Sequence, residues 1–379
     1  HAYHCYCSKE ELEEMRTAQR AAGEKPRYDG RCRDRAEPRE GVEPVLRFRN
    51  PDEGEVVVED LVRGRVVFDN SELDDLVMLR SDGMPTYNFS VVVDDMDMEI
   101  THVIRGDDHL NNTPRQMNIY AALGGTPPAY GHVPMILGQD GAKLSKRHGA
   151  VSVLEYRQEG YLPEAVLNYL VRLGWSHGDQ EIFDVDEMIE LFDIADVNKS
   201  PSSFNPDKLM WLNQQYIMEA NGDYLGLMLS WQLERLGVSI VGGPDPEAVA
   251  EAYRQRAQTI HEMAQSAMFF YQDVHGYHDK SARKHLSPAA LPALKTVRDG
   301  LFMSERWEAG ALHDVVQATA EQLGLKLGKV AQPIRVAVSG GPVSPPIDIT
   351  LELLGRDRVL DRLDRAIHHA EHVASEGVA

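Results

Sequence analysis

Between Gly141 and Gly149 the chain reads Gly-Ala-Lys143-Leu144-Ser145-Lys146-Arg147-His148-Gly, so four cationic or potentially cationic side chains fall within six residues. Glycines flank the run, and an apolar segment precedes it. A loop of this composition can fold over a triphosphate. Lysine ammonium groups on flexible stems neutralise phosphate oxygens, and they act most strongly where charge builds up during phosphoryl or nucleotidyl transfer. Ser145 adds a hydroxyl donor. The run is not a Walker loop, because no G-x-x-x-x-G-K-[ST] string is present. Taken alone, K-x-S-K is more often a solvated basic turn than a nucleotide site.

A second cluster lies near the start. All three cysteines, Cys5, Cys7 and Cys32, fall in the first 32 residues. An odd, clustered count does not make a disulfide framework and fits a reducing, cytoplasmic setting. Cys5-Tyr6-Cys7 followed by Cys32-Arg33-Asp34 has the outline of a small metal knuckle, in which thiolates favour zinc and a fourth ligand is needed. Asp34, Tyr28, His1 and His4 are the candidates for that place. Three reduced cysteines without metal are the alternative.

These groups need elements to hold them. Ser8, with Glu11 three residues on, opens a helix expected to run to Ala22. Glu55–Glu59 and Arg65–Phe68 read as strands around Arg63-Gly64. Tyr87–Val93 is an apolar, β-rich run, with Asp94-Asp95 read as the turn that ends it. Ile100–Arg105 reads as a strand, Asn111–Leu123 as a helix closed by Gly124-Gly125, and His132–Leu137 as a strand before the turn Gly138–Gly141. Strand, helix, strand at this spacing predicts a parallel-sheet unit, about half of a nucleotide-binding domain. Helices are expected over 153–159, 163–173 and 184–191, and helices dominate after Trp211, with periodic stretches at 248–271 and 356–374.

The length of 379 residues suggests two or three domains. No apolar run approaches the roughly 18 residues of a membrane span, and the first residues are not a signal peptide. The net charge of −21 argues at face value against a nucleic-acid partner. Residues 51–100 and 151–200, however, supply 19 of the 21 excess negative charges, and residues 101–150 carry five bases against three acids. Any polyanion contact must therefore be local.

The lysine run resembles the K-M-S-K-S signature of class I aminoacyl-tRNA synthetases, in the form shown by bacterial glutamyl-tRNA synthetases. Thr86-Tyr87-Asn88-Phe89, the segment Asp94 to His109, and Asn112 to Gln116 are similar to that family in order and spacing. So are Tyr161 to Ala165, Leu173 to Ser176, and Lys208 to Asn213. The resemblance runs essentially from residue 1 to residue 370. It implies an α/β fold, a partial Rossmann-like nucleotide-binding domain with an inserted acceptor-binding subdomain, followed by an all-α anticodon-binding domain. The implied boundaries are 1–76 for the insertion, 77–137 for the second half of the catalytic domain, 138–215 for a connecting helical domain carrying the lysine loop, and 216–379 for the anticodon-binding domain.

The implied activity is ATP- and Mg2+-dependent activation of glutamate to glutamyl-adenylate and transfer to the 3' end of tRNA(Glu). Lys143, Leu144, Ser145, Lys146 and Arg147 would then hold ATP, with Lys146 and Lys143 acting on the transition state. Ile136 and Leu137 would offer backbone groups to adenine. Tyr87, Arg105 and Asp108 fall where the family lines its glutamate pocket. Arg105 suits a carboxylate, and Asp108 suits the ammonium group. Family relatives carry Cys-x-His where this chain has Cys32-Arg33-Asp34, which implies a zinc set of Cys5, Cys7, Cys32 and Asp34. Arg27, Arg31, Arg33, Arg35 and Arg39 are candidates for acceptor-end phosphates. Lys326, Lys329, Arg335 and the arginines from Arg356 to Arg365 are candidates for the anticodon arm. The relatives also imply a monomer free of membranes.

A class I enzyme needs H-x-G-H, and the 379 residues contain none; His275-Gly276-Tyr277-His278 has its glycine misplaced. The segment with that motif would precede His1, so the chain is expected to begin inside a longer protein. A non-catalytic tRNA-binding protein derived from the same fold is the competing reading, and a zinc-dependent regulatory domain would explain only the cysteines. Half an active site should not activate glutamate. Pyrophosphate exchange by the isolated 379 residues is expected to be absent, and a normal rate would overturn this.

Overall fold

Ser8 opens the first helix as its spacing predicts. Its hydroxyl accepts from Glu11 N, and the Glu11 carboxylate accepts from Ser8 N at 2.7 Å, so both halves of a capping box are present. The computed structural model describes residues 1–35, 37–145 and 152–376. Within it the chain forms two units, His1–His148 with Leu170–Phe204, and Gly149–Tyr169 with Asn205–Ala379.

The first unit contains β1 (Ala2–Cys5), α1 (Lys9–Ala21), β2 (Val45–Phe48), β3 (Glu55–Asp60), β4 (Gly64–Asp69) and β5 (Val77–Leu79). It continues with α2 (Tyr87–Asp97), β6 (His102–Gly106), α3 (Thr113–Leu123), β7 (Ala129–Val133) and β8 (Ile136–Leu137). A small sheet has the order β1-β2-β5, and a larger one has the order β4-β3-β7-β6. In the larger sheet β3 and β4 form the expected hairpin, while β6 and β7 are parallel and joined through α3, as the strand-helix-strand pattern predicts. Gly124, at φ 76, ends α3 in the left-handed conformation.

One element differs in type. Tyr87–Asp97 is helix and not strand, so Asp94 and Asp95 lie in its last turn and do not form a strand-ending turn. Phe89, Val92 and Met96, at i, i+3 and i+7, pack with Phe48, Met78, Ile119 and Tyr120. That spacing serves a helix face, and packing outweighs the β preference of Val91-Val92-Val93. The expected strand 132–137 is also divided, at Pro134, into β7 and β8.

The chain then forms α4 (Val153–Gln158), α5 (Pro163–Gly174), α6 (Val185–Leu191) and the short β9 (Ser202–Ser203), which pairs in parallel with β8. Trp175, Phe183 and Met188 bury a satellite core under α6. The second unit continues with α7 (Pro206–Glu219), α8 (Gly222–Arg235), α9 (Pro246–Tyr253), α10 (Ile260–Tyr271), α11 (Asp279–His285), α12 (Leu291–Met303), α13 (Ala309–Gln322), α14 (Leu327–Ser339), α15 (Ile347–Leu354) and α16 (Arg356–Glu376). The periodic stretch 248–271 is two helices, because the Thr259 hydroxyl accepts from Glu262 N and starts α10 anew. Leu225, Leu229, Leu294, Val297, Val316, Ile334 and Leu363 belong to one continuous core. Gly160 is required there. It has φ 84, and an added Cβ would lie 2.2 Å from His261 N. No described helix is long and apolar enough to cross a membrane.

The β1-β2-β5 sheet is tied to its loops by one buried carboxylate. Asp75 takes a two-pronged contact from Arg33, at 2.6 Å on each oxygen, and accepts from Asn50 N and the Tyr3 hydroxyl. Although burial opposes its ionisation, the Arg33 and Tyr3 hydrogen bonds hold its pKa below the usual carboxylate range. Removing the guanidinium strands that charge. Arg33→Ala should cost about 3–5 kcal/mol, read as an earlier first transition in urea. Asp52→Ala, which removes only an exposed partner of Arg33, should cost no more than about 1 kcal/mol.

Candidate active site

Arg105, Tyr87 and Asp108 meet at the carboxyl end of β6. Arg105 is the penultimate residue of that strand, and Tyr87 begins α2. Arg105 Nε donates to His132 Nε2 at 3.2 Å, and one terminal nitrogen donates to Thr113 Oγ1 at 2.7 Å and Gln116 Oε1 at 2.9 Å. Among the described residues the other terminal nitrogen reaches only the Tyr87 hydroxyl, at 3.5 Å. Among the described residues Arg105 forms no ion pair. The neighbouring carboxylates are held elsewhere, Asp107 by Arg63 and Asp108 by Lys143 at 2.8 Å. A half-buried guanidinium bonded only to neutral acceptors is suited to an incoming carboxylate. Tyr87 is exposed, and its ring packs edge-on against His109, with centroids 5.8 Å apart.

The lysine loop returns beside this group. Leu144 N donates to Ile136 O and Phe204 N donates to Leu137 O, so the carbonyls of both residues expected to face adenine already accept hydrogen bonds. Lys143 is exposed, and the Lys143 hydrogen bond lowers the pKa of Asp108 below the ordinary carboxylate value. The structure thus joins a candidate phosphate ligand to a candidate ammonium ligand. Leu144 is half-buried and Ser145 exposed. Lys146 and Arg147 lie outside the described residues.

The three thiols come together. Their sulfurs lie within 4.8 Å of one another, with Cys7 and Cys32 3.6 Å apart. The Tyr28 hydroxyl joins them, 3.3 Å from Cys5 Sγ and 4.0 Å from Cys7 Sγ. Asp34 is not in the group; its exposed carboxylate pairs with Arg49 at 3.3 Å. Burial and the Cys32 hydrogen bond push Cys7 up to about 12. Burial also opposes ionisation of Cys32, but hydrogen bonds from the Tyr6 backbone and the Tyr28 hydroxyl outweigh it and bring that thiol to about 7. Three thiols and one phenol oxygen at this spacing suit a tetrahedral thiophilic ion.

Most arginines proposed as phosphate contacts are used within the chain. Arg27 bonds the Ser71 carbonyl, while Arg31, Arg33 and Arg39 pair with Asp29, Asp75 and Glu11. Arg35 is exposed and has no side-chain partner among the described residues. On α16, Arg358 donates to Phe270 O, Arg362 to Phe269 O, Gln272 O and Val338 O, and Arg365 to Val274 O. Arg356 donates to Ser304 O, and Arg335 to Ser344 Oγ at 3.0 Å. Arg356, Arg358 and Arg362 thereby satisfy carbonyls at the ends of α12, α10 and α14, Arg362 while fully buried. Lys326 and Lys329 stay exposed on and beside α14. Helix α11 packs against α14 and adds Lys280, Arg283 and Lys284, which line a recess of about 450 Å³ with Asp279. Sequence reading passed over α11, although the cluster Lys280, Arg283, Lys284, His285 was visible in it. It also passed over Asp60, Thr113, Gln116 and His132, which no local pattern connects to Arg105.

A model of the "tRNA synthetases class I (E and Q), catalytic domain" family matches residues 1–211, and an "Anticodon binding domain" model matches residues 211–367. The "Glutamate--tRNA ligase 1" of Alkalilimnicola ehrlichii is 62% identical over 375 residues, covering 99% of this chain and 80% of that protein. Its namesake in Nitrosococcus oceani is 60% identical over 372 residues, covering 98% and 79%. A solved glutamate tRNA ligase from Elizabethkingia meningosepticum, in complex with its amino acid, matches with a TM-score of 0.76 at 29% identity, covering 97% of this chain and 79% of that one. With both family models in agreement with relatives that match 98–99% of its length at 60–62% identity, the chain belongs to the glutamate–tRNA ligase family of class I aminoacyl-tRNA synthetases.

Proposed function

We propose that the chain carries the glutamate-recognising pocket and the lysine loop of an ATP-dependent ligase, which forms glutamyl-adenylate and passes the acyl group to the 3' end of tRNA(Glu). The observation that carries the reading is Arg105. Its guanidinium is anchored on two nitrogens by neutral acceptors, and among the described residues its third has only a long contact to Tyr87. A carboxylate presented there gains a charge-assisted pair without having to displace a resident acid. Asp108 then accepts the substrate ammonium, and Lys143 leaves it for the triphosphate. Ser145, Lys146 and Arg147 complete the phosphate ligands, and Ile136 and Leu137 face the base. The glutamate α-carboxylate attacks the α-phosphorus and pyrophosphate departs. The terminal ribose hydroxyl then attacks the acyl carbon and AMP leaves. ATP enters with Mg2+, which offsets part of its charge.

The competing reading, a non-catalytic tRNA binder, finds no support in relatives that are ligases at about 60% identity. Residues 1–76 are proposed to receive the acceptor end, 77–137 to complete the catalytic fold, 138–215 to carry the loop and 216–379 to bind the anticodon arm, with Lys280, Arg283 and Lys284 of α11 as phosphate contacts. Free thiols support a reducing cytoplasm, and the protein is proposed to act as a monomer.

We also propose that Cys5, Cys7, Cys32 and the Tyr28 oxygen hold a structural Zn2+, which would cross-link the loop 28–32 to β1. The untreated protein is expected to contain one zinc and to lose stability on chelation. Tyr28→Phe or Cys32→Ser should lower the zinc content and Asp34→Ala should leave it unchanged; an equal loss in Asp34→Ala would return the fourth ligand to Asp34.

The activity itself is tested with the polypeptide expressed from its complete reading frame. Labelled glutamate should be esterified to tRNA(Glu), and Lys146→Ala should slow pyrophosphate exchange far more than it weakens glutamate binding. Binding of tRNA(Glu) without any charging would sink the ligase reading, and equal losses in Lys146→Ala would sink the role of that lysine.

A further inference from the structure

The Arg105 guanidinium is aimed by a chain of buried groups that crosses three adjacent strands. Asp60 ends β3, His132 lies in β7 and Arg105 in β6, with Arg105 directly opposite His132 in the parallel register. The side chains of Asp60 and His132 have no solvent exposure, and His132 Nδ1 lies 2.5 Å from Asp60 Oδ2. The other carboxylate oxygen, Oδ1, accepts three backbone N–H groups, from Val62 at 2.9 Å, Arg63 at 2.8 Å and His132 at 3.2 Å. Both oxygens of Asp60 are therefore committed as acceptors.

That commitment sets the proton on the imidazole. A carboxylate oxygen can only accept, so the ring proton resides on Nδ1 and Nε2 presents a lone pair. Facing the lone pair are Arg105 Nε at 3.2 Å and Thr113 Oγ1 at 3.0 Å. The Thr113 hydroxyl accepts from Arg105 at 2.7 Å and donates to the ring. Gln116 takes a further Arg105 N–H, and its own amide is held by Asn88 at 2.9 Å. Burial disfavours the imidazolium and lowers the His132 pKa. Burial works against the Asp60 carboxylate, but hydrogen bonds from Arg63 N and His132 hold its pKa below the ordinary value. A neutral ring between an ionised carboxylate and a guanidinium is the consistent state.

We propose that Asp60 and His132 are positioning residues for amino-acid recognition: Asp60 fixes the His132 tautomer, and His132 in turn holds Arg105 with its free edge toward the substrate carboxylate. The proposal rests on the reading of Arg105 as the carboxylate ligand. A pair serving only to join β3 to β7 would need the ring proton on Nδ1 but would have no use for the lone pair on Nε2; a grip on Arg105 Nε–H needs both.

Asp60→Asn separates the two roles. Oδ1 must stay an oxygen to serve three N–H groups, so the new amide nitrogen takes the Oδ2 place and donates to Nδ1. The ring proton moves to Nε2 and confronts Arg105 Nε–H, the error that a neutral amide imposes on any Asp-oriented histidine. In the 379-residue chain, imidazole 15N shifts should change from the Nδ1–H to the Nε2–H pattern. In pyrophosphate exchange by the protein from its complete reading frame, the KM for glutamate should rise about tenfold or more, with the KM for ATP within about twofold. His132→Gln, which restores an acceptor near Nε2, should keep most of the glutamate affinity, and His132→Leu should lose it. This second pair carries the test if Asp60→Asn does not fold. An unchanged glutamate KM in a folded Asp60→Asn, or equal rises for both substrates, would overturn the proposal. Arg105→Lys is the control. If it too leaves the glutamate KM unchanged, the pocket reading falls and the inference with it; if it raises that KM while Asp60→Asn does not, only the positioning role falls.

Discussion

A half-buried guanidinium must have its N–H groups satisfied, and the easiest partner in an acidic protein is a carboxylate. Arg105 is instead satisfied by an imidazole, two hydroxyls and an amide, all neutral. The rest of the first unit is arranged around this constraint. Asp107 and Asp108 directly follow the strand that carries Arg105, and either could have neutralised it. The turn from Asp107 to Asn112 leads them away, one to Arg63 and the other to Lys143. A positive charge without a resident counter-ion costs stability by itself, and parallel β6 and β7 repay this by bringing His132 opposite. The sheet sets what Arg105 can bind by setting what it cannot.

The same economy explains how a chain of net charge −21 can serve a polyanion. Its arginines are largely spent on its own backbone and acids. Those of α16 cap the ends of α10 and α14, where the carbonyl dipoles converge. Lysines, whose hydrated point charges gain less from such fixed forks, remain outside. The exposed basic groups of this region therefore include Lys280, Arg283 and Lys284 of α11 with Lys326 and Lys329, whereas the arginines of the arginine-rich helix that catches the eye in the sequence are turned to the chain's own carbonyls.

What the sequence made legible follows from the range of each interaction. The capping box at Ser8 and the β3-β4 hairpin are local, the β6-α3-β7 unit follows from elements consecutive in the chain, and all are present. Tyr87–Asp97 was misread because three consecutive valines suggest a strand locally, whereas the partners that make it a helix, Phe48, Met78 and Ile119, come from remote parts of the chain. The break before Ile260 was marked by Thr259 and Glu262, a signal hidden inside a periodic run. Cys5, Cys7 and Cys32 were legible as a cluster because thiols are rare here. Their phenol partner, Tyr28, was only one of four candidates for the remaining place, because nothing sets it above Asp34, His1 or His4 until the loop closes. Asp60 and His132 were invisible for the same reason, being 72 residues apart.

The contact between Lys143 and Asp108 has a consequence for the order of events at the site. On the proposed roles, one group belongs to ATP and the other to the amino-acid ammonium, and each holds the other through an exposed pair at 2.8 Å. Exposed pairs are worth little, on the order of 0–1 kcal/mol, so the contact is no barrier to either substrate. Arrival of the triphosphate draws Lys143 away and leaves Asp108 unpaired, which strengthens its hold on an ammonium group. Arrival of the amino acid frees Lys143 for phosphate in the same way. Each substrate therefore prepares the site for the other by a small coupling that is the same in both directions. Arg105 takes no part in that exchange: its partners are neutral, and the three that anchor it, His132, Thr113 and Gln116, are buried, so its aim does not change as the two charges beside it are re-paired.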